Sequence, residues 1–84
     1  MKTQFSERAW IDYLFWQEND RAKLRRVNLL IQDIHRNAFD GMGQPEMLRH
    51  NLSGCWSRRI DQEHRLVYGV KDEVPVLYAC RYHY

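Results

Sequence analysis

The chain has 84 residues, 44% of them hydrophobic, and its 13 Lys and Arg residues nearly balance 11 Asp and Glu residues, which leaves a net charge of +2. We therefore expect one domain over residues 1–84, with a small core and a charge that permits binding to nucleic acid without requiring it. No apolar run approaches the roughly 18 residues of a membrane span, and the N-terminus lacks the apolar segment of a signal peptide, so we expect a cytoplasmic protein with no membrane contact.

Cys55 and Cys80 are the two cysteines, and they lie far apart in the sequence. They form no C-x-x-C pair, and there is no second pair that would complete a zinc site. We therefore expect two small buried or half-buried thiols, with no metal and no other cofactor in the protein.

The N-terminal part of the chain predicts a strand and a helix. The segment KTQF is typical of a short opening strand. Ser6 has the side chain of a helix N-cap, and it precedes the segment ERAWIDYLFWQEN. In that segment Trp10, Tyr13 and Leu14 recur at helical spacing.

The next segment, RAKLRRVNLLIQDIHRN, carries the strongest periodic pattern in the sequence, and Asp20 before it is a candidate N-cap. One stripe of this second helix is apolar: Leu24, Val27, Leu30, Ile31 and Ile34. A second set is expected to face away from that stripe: Lys23, Arg25, Arg26, Gln32 and Asp33.

The second half predicts a loop and three strands. Residues 38–54 include FDGMGQPE, with two glycines and a proline, and are typical of a loop. The segments CWSRRI, HRLVYGV and VPVLYACRYHY are rich in strand formers and are separated by short polar connections. The sequence therefore predicts an α+β fold: an N-terminal strand, two helices and a three-stranded antiparallel meander, with the helices on one face of the sheet.

Basic residues are concentrated between positions 49 and 65, where Asp61 and Glu63 are the acidic residues. The basic set is Arg49, His50, Arg58, Arg59, His64 and Arg65. This half of the molecule is expected to present a local positive field to phosphate, although the whole chain is nearly neutral.

Strict alternation along the last two strands separates their faces. On the first of them, Arg65, Val67 and Gly69 share one face, opposite Leu66, Tyr68 and Val70. On the last, one face carries Leu77, Ala79, Arg81 and His83, and the other carries Val76, Tyr78, Cys80, Tyr82 and Tyr84. A solvated, half-polar face is the simpler interpretation of this pattern; a catalytic surface is the alternative.

Cleavage of an RNA phosphodiester shows which residues such a surface needs. A base must take the proton of the 2′-hydroxyl, an acid must protonate the leaving oxygen, and a cation must stabilise the charge on the phosphorane. Histidine suits the proton transfers and arginine suits the phosphate. Glu46, in the loop after Pro45, is a candidate for the carboxylate, but Glu46, Arg65 and His83 are far apart in sequence. Each signal is weak by itself, and for Glu46 the sequence alone favours an ordinary exposed carboxylate.

The segments HNLSG and WSRRI around Cys55, the segment EHRLVY and the terminal CRYHY together resemble the YoeB toxins of the RelE superfamily of toxin–antitoxin systems. The similarity covers essentially the whole chain. It implies a RelE-like, microbial-ribonuclease-like fold and a ribosome-dependent mRNA endonuclease. Such a toxin cuts mRNA in the ribosomal A site without a metal ion and thereby inhibits translation.

The resemblance also implies roles for individual residues. Glu46 matches the family's general base and His83 its general acid. Arg65 matches the arginine that stabilises the phosphate, and Tyr84 the terminal aromatic residue that orients the nucleotide. Three further arginines are expected to contact RNA: Arg49, Arg59 and Arg81.

Partners follow from the same resemblance. It implies a YefM-like antitoxin whose C-terminal segment folds over the toxin, the 70S ribosome with its small-subunit rRNA and mRNA, and a homodimer. Trp10, Phe15 and Trp16 are more aromatic surface than one helix face can bury. We expect the excess to belong to the core first, and to a dimer or antitoxin contact second.

Two alternatives stay open. The chain is also compatible with a catalytically silent module that binds its antitoxin and represses its operon, or with a ribonuclease that needs no ribosome. Met42 and Gln44 stand where lysines are common in the resembled family. Fewer cations there are expected to weaken the attraction to free RNA, which ranks the ribosome-independent activity lower.

Overall fold

A computed structural model describes residues 2–49, 52 and 54–82 of the chain. Within these residues the elements are β1 Gln4–Phe5, α1 Glu7–Asn19, α2 Arg21–Arg36, β2 Glu46–Met47, β3 Trp56–Arg59, β4 Arg65–Lys71 and β5 Val74–Ala79. The predicted α+β order of one strand, two helices and a C-terminal meander is confirmed. No helix in the described part of the chain is long and apolar enough to cross a membrane.

The described strands form one sheet in the order β1-β5-β4-β3-β2. β1 pairs in parallel with β5, and the other neighbours pair antiparallel. The strand β2, which the sequence did not predict, lies in the segment that we predicted as a loop. That prediction was therefore wrong for Glu46 and Met47. A strand of two residues is too short to show alternation in the sequence, and its pairing with β3 supplies the hydrogen bonds that define it.

The two helices begin where the sequence predicts. The Ser6 hydroxyl accepts a hydrogen bond from the Ala9 N–H at 3.0 Å, and the Asp20 carboxylate accepts one from the Lys23 N–H at 3.2 Å. Each bond satisfies an N–H group that has no partner inside its own helix. The helix α2 ends at Arg36, one residue before the predicted end.

The core lies between the helices and one face of the sheet. Its buried members are Ala9, Trp16, Val27, Leu30, Ile34, Ile60, Leu66, Tyr68, Leu77 and Cys80. The α2 stripe therefore packs as predicted, with Leu24 and Ile31 at its half-buried margin. Cys55 is half-buried and Cys80 buried, both as free thiols, and burial, with the nearby Asp12 carboxyl, raises the pKa of Cys80 to about 12.

The last strand is shorter than predicted and is interrupted by a β-bulge. Val67 pairs with Ala79 but Tyr68 pairs with Leu77, so Tyr78 is an extra residue on β5. Leu77 packs in the core, while Ala79 lies opposite Val67 on the other face of the sheet. The strict alternation that placed Leu77, Ala79 and Arg81 on one face was therefore wrong, because a bulge shifts the pattern by one residue.

Candidate active site

The sheet has an outer face, which we define as the face turned away from the helices, with Glu46, Ser57, Arg59, Arg65 and Val67. Glu46 pairs with Ser57, and Ser57 pairs with Val67, so these residues form one row across β2, β3 and β4. Arg59 follows Ser57 by two residues on β3 and pairs with Arg65 on β4. Because directly paired residues and residues two apart share a face, Glu46, Arg59 and Arg65 all belong to the outer face.

The charged residues of the outer face lie next to two buried residues, Ser57 and Val67. Ser57 and Val67 are only 3% and 5% exposed. Glu46 and Arg59 are exposed, and Arg65 is half-buried. No acceptor for the Arg59 guanidinium is found among the residues that the structure describes. This arrangement gives a carboxylate and two arginines on one face, which matches the base and cation that RNA cleavage requires.

The Arg65 side chain is held in place by the backbone just before its own strand. Its Nη1 donates to the carbonyl oxygens of Asp61, at 2.8 Å, and His64, at 3.1 Å. Asp61 in turn accepts hydrogen bonds from the backbone N–H groups of Glu63 and His64 and from the Lys23 ammonium group. Burial raises the pKa of Asp61, but these bonds outweigh it and lower the pKa to about 2.

Arg58 anchors the segment that leads to Glu46, and it does so from inside the core. Its side chain is fully buried, with Nε donating to the Tyr68 hydroxyl and Nη1 to the Asp33 carboxylate at 2.6 Å. It also donates to three backbone carbonyls of the preceding loop, those of Asn37, Asp40 and Met42. Our prediction that Asp33 faces away was therefore wrong, because it neutralises Arg58.

The loop around Gly41 and Met42 packs closely against the Asp33–Arg58 ion pair. The Met42 backbone N–H and the Arg58 guanidinium, which both donate to Asp33, hold the pKa of that carboxyl below its usual value. Gly41 has a φ of +120°, and a Cβ there would collide with the Asp33 carboxylate. The Gly43 carbonyl accepts from the Arg59 N–H at 2.7 Å. These contacts bring the chain to the sheet edge just before β2, which carries Glu46.

Beyond β5 the chain turns back toward α1. We call residues 80–82 the C-terminal arm. The Arg81 guanidinium lies 3.4 Å from the centre of the Phe15 ring and 4.5 Å from that of Tyr82, a cation–π arrangement on the side of α1. A cavity of about 400 Å³ lies between the arm and α1, with Trp16 and His64 in its wall. The structure therefore does not bring Arg81 to the outer face, where Glu46, Arg59 and Arg65 lie.

The other predicted site residues divide into two groups. Arg49 is exposed and follows β2 closely. His83 and Tyr84, the predicted acid and nucleotide-orienting residues, lie outside the described residues, as does His50. The predicted basic cluster is smaller than expected, because Arg58 and His64 are buried. Among its described members Arg49 and Arg59 are exposed and Arg65 is half-buried.

Comparison with known proteins shows to which family this chain and its fold belong. The model of the YoeB-like toxin of bacterial type II toxin–antitoxin systems matches residues 5–84. The chain belongs to this family. It is therefore the toxin component of a type II toxin–antitoxin system.

Individual YoeB-like toxins are similar to the chain throughout. It is 56% identical to "Toxin YoeB" of Escherichia coli (strain K12) over 84 residues, which is all of both chains. The YoeB/ParE toxin from Agrobacterium tumefaciens superposes with a TM-score of 0.97 at 41% identity, covering 100% of both chains.

Two structures from Staphylococcus aureus are also similar. In the YoeB–YefM complex the matched chain has a TM-score of 0.94 at 44% identity, covering 100% of this chain and 98% of that one. In the YoeB dimer the TM-score is 0.92 at 45% identity, with the same coverage. The fold that the resemblance implied for a YoeB-like toxin is thus confirmed.

Two residues of this YoeB-like toxin were not recognised from the sequence as organisers of the site. Arg58 and His64 were counted as surface cations. Their positions in the strand-forming segments WSRRI and HRLVYGV did not distinguish them from Arg59 and Arg65. A signal was present for Arg58: it lies next to Arg59 in a strand, and alternation requires the two to point to opposite faces.

Proposed function

We propose that this toxin is a ribosome-dependent mRNA endonuclease, which cuts mRNA in the A site and thereby inhibits translation. Its chemistry uses side-chain acid, base and cation groups in place of a metal ion. The register of the sheet is the observation that carries this proposal. It aligns Glu46 with Arg59 and Arg65 on the outer face, which is the combination of groups that attack by a 2′-hydroxyl demands.

In the proposed reaction each group has one task. The Glu46 carboxylate takes the 2′-hydroxyl proton, and the oxygen then attacks phosphorus. Arg65, assisted by Arg59, donates hydrogen bonds to the phosphate oxygens and stabilises the added negative charge. His83 gives a proton to the leaving 5′-oxygen, and Tyr84 orients the nucleotide, as the resemblance implies. The products carry a 2′,3′-cyclic phosphate and a 5′-hydroxyl.

The two other predicted RNA contacts, Arg49 and Arg81, differ in how easily they can reach the RNA. Arg49 is exposed and lies two residues after β2, the strand that carries Glu46. Arg81 already stacks on Phe15, so a contact with RNA requires its guanidinium to leave that ring. We therefore propose Arg49 as a direct RNA contact and assign Arg81 a smaller share of the binding.

The partners of the toxin are proposed on the same basis. A relative from S. aureus forms a YoeB–YefM complex and another structure shows a YoeB dimer, so we propose a YefM-like antitoxin and a homodimer for this chain. The ribosome, its small-subunit rRNA and mRNA are the substrate assembly. The site of action is the cytoplasm, where translating ribosomes are found.

Cleavage on programmed ribosomes tests the proposal. The purified toxin is added to ribosomes carrying a defined mRNA, and primer extension maps the new 5′ ends. We expect a discrete end within the A-site codon, and no cut when the attacking nucleotide has a 2′-deoxy sugar. Intact mRNA together with tight antitoxin binding would favour the silent module. Equal cutting of the same RNA without ribosomes would favour the ribosome-independent ribonuclease.

A further inference from the structure

Hydrogen bonds hold the backbone of the C-terminal arm at each of its three residues. The Cys80 N–H donates to the Asp12 carboxylate at 3.0 Å, and the Cys80 carbonyl accepts from the Trp16 indole at 2.7 Å. The Arg81 carbonyl accepts from the Arg8 guanidinium at 3.1 Å. At Tyr82 the N–H donates to His64 Nδ1 at 2.7 Å, and the carbonyl accepts from the Arg65 N–H at 3.0 Å. The arm thus has a fixed course up to the residue before His83.

Tyr82 needs these bonds more than its neighbours do. Its φ is +67°, a left-handed conformation that an L-residue other than glycine adopts only when its surroundings enforce it. Both backbone polar groups of Tyr82 are bound by two consecutive residues, His64 and Arg65. The Tyr82 side chain is 48% exposed, so packing of the ring does not by itself fix this backbone.

His64 is built to accept that hydrogen bond. An imidazole nitrogen accepts only when it carries no proton, so a hydrogen bond from the Tyr82 N–H requires Nδ1 to be unprotonated. The His64 residue is 8% exposed, and its ring lies edge-on to Trp16, with 4.8 Å between the ring centres. The backbone N–H of His64 donates to the Asp61 carboxylate at 2.6 Å, which fixes the backbone from which the ring projects.

The same residue also contacts the arginine of the site. The His64 carbonyl accepts from Arg65 Nη1 at 3.1 Å, while its ring binds the arm. One residue therefore connects the guanidinium proposed to hold the phosphate with the peptide that leads to the proposed acid. A displacement of about 1 Å at a reacting group can cost on the order of 100-fold in rate, so this connection has a consequence for catalysis.

We propose that His64 is a positioning residue, which holds the C-terminal arm in register with Arg65 through the hydrogen bond from the Tyr82 N–H to Nδ1. The inference rests on the proposed function, because it concerns delivery of His83 to the same phosphate. His64 itself neither touches the RNA nor transfers a proton.

Two conservative variants separate this role from a merely structural one. In His64→Asn the side-chain oxygen takes the place of Nδ1 and keeps the acceptor for Tyr82. In His64→Gln the terminal amide reaches the place of Nε2 instead, so the variant stays polar but loses that acceptor. His35→Leu is the control, because it removes a second histidine, which is half-buried, bound to Thr3 at 2.7 Å and far along the chain from the arm.

The readout is single-turnover cleavage on programmed ribosomes, with the maximal rate and the half-saturating ribosome concentration measured separately. We expect His64→Gln to lower the maximal rate by about 10- to 100-fold with half-saturation changed less than about 2-fold. His64→Asn and His35→Leu should stay within about 3-fold of the parent. Equal rates for the Gln variant and the parent, or equal losses for Asn and Gln, would overturn the proposal.

A second measurement needs no variant and no activity. Amide hydrogen exchange at Tyr82 should be slowed at least about 10-fold relative to an unbonded, exposed backbone amide, because its N–H is bound to His64. Fast exchange at Tyr82 would overturn the inference even if the toxin cuts mRNA. A protein that cuts no mRNA yet protects Tyr82 would refute the proposed function and leave the hydrogen bond established.

Discussion

Arg59 and Arg65 lie directly opposite each other on the antiparallel strands β3 and β4, with both side chains on the outer face. Like charges in this relationship destabilise a sheet, whereas a bound anion between them would remove the repulsion. We therefore expect the pair to reduce the stability of the free protein, and in the proposed function a bound phosphate group would relieve this repulsion.

Replacing Arg59 should separate these two effects. We expect Arg59→Gln to increase the free energy of unfolding by about 0.2–1 kcal/mol, because the repulsion is removed. The same variant should lower cleavage of ribosome-bound mRNA. Urea unfolding and single-turnover cleavage measure the two effects, with Arg25→Gln, an exposed arginine of α2, as the charge-matched control. A variant that is less stable than the parent and cuts equally well would contradict this interpretation of the pair.

Replacing the buried Arg58 should affect stability differently from replacing its exposed neighbour Arg59 on the same strand. Arg58→Met should reduce the free energy of unfolding by about 3–5 kcal/mol, because Asp33, Tyr68 and the loop carbonyls lose their common donor. Arg59→Met, one residue further on, should not decrease stability. Chemical denaturation of both variants makes the comparison. Similar stabilities for the two would show that Arg58 does not hold the loop.

The pKa of Asp61 predicts how stability depends on pH. Because its pKa in the folded protein is lowered from 3.8 to about 2, folding favours the ionised carboxylate. The contribution is fully present above pH 3.8, amounts to about 2 kcal/mol at most, and is lost as the pH falls through about 2.

Unfolding free energies of the parent and Asp61→Asn, measured between pH 5 and pH 2, test this expectation. The parent should be the more stable protein at pH 5, and the difference should shrink steadily toward pH 2. A difference that does not change over this range would mean that Asp61 is not held as an anion by Lys23 and the turn before β4.

The helices were predictable because their signals are local. Ser6 and Asp20 are caps that act within three residues, and the stripe of α2 recurs within a single helix of 16 residues. The strand β2 was not predictable, because two residues carry no period and its hydrogen bonds come from β3. The bulge at Tyr78 was also hidden, since an extra residue in one strand is defined only by the pairing with its neighbour.

For the candidate site the sequence suggested residues and not their geometry. Residue type and the family resemblance identified Glu46 and Arg65, but only the register through Ser57 and Val67 brings them to one face. Arg58 was misread as a surface cation because its counterion, Asp33, comes from α2, 25 positions earlier in the chain. Pairings of that kind depend on tertiary structure and leave no periodic mark.

Cleavage by Glu46→Gln tests the central claim most directly, because Glu46 is the candidate base of the outer face and is exposed on an edge strand. The measurement is its single-turnover rate on ribosome-bound mRNA, with Glu18→Gln, an exposed carboxylate of α1, as the control. We predict a rate about 10²- to 10⁴-fold below that of the parent, with unfolding free energy changed by less than about 0.5 kcal/mol. A folded Glu46→Gln variant that cuts as fast as the parent would contradict the account.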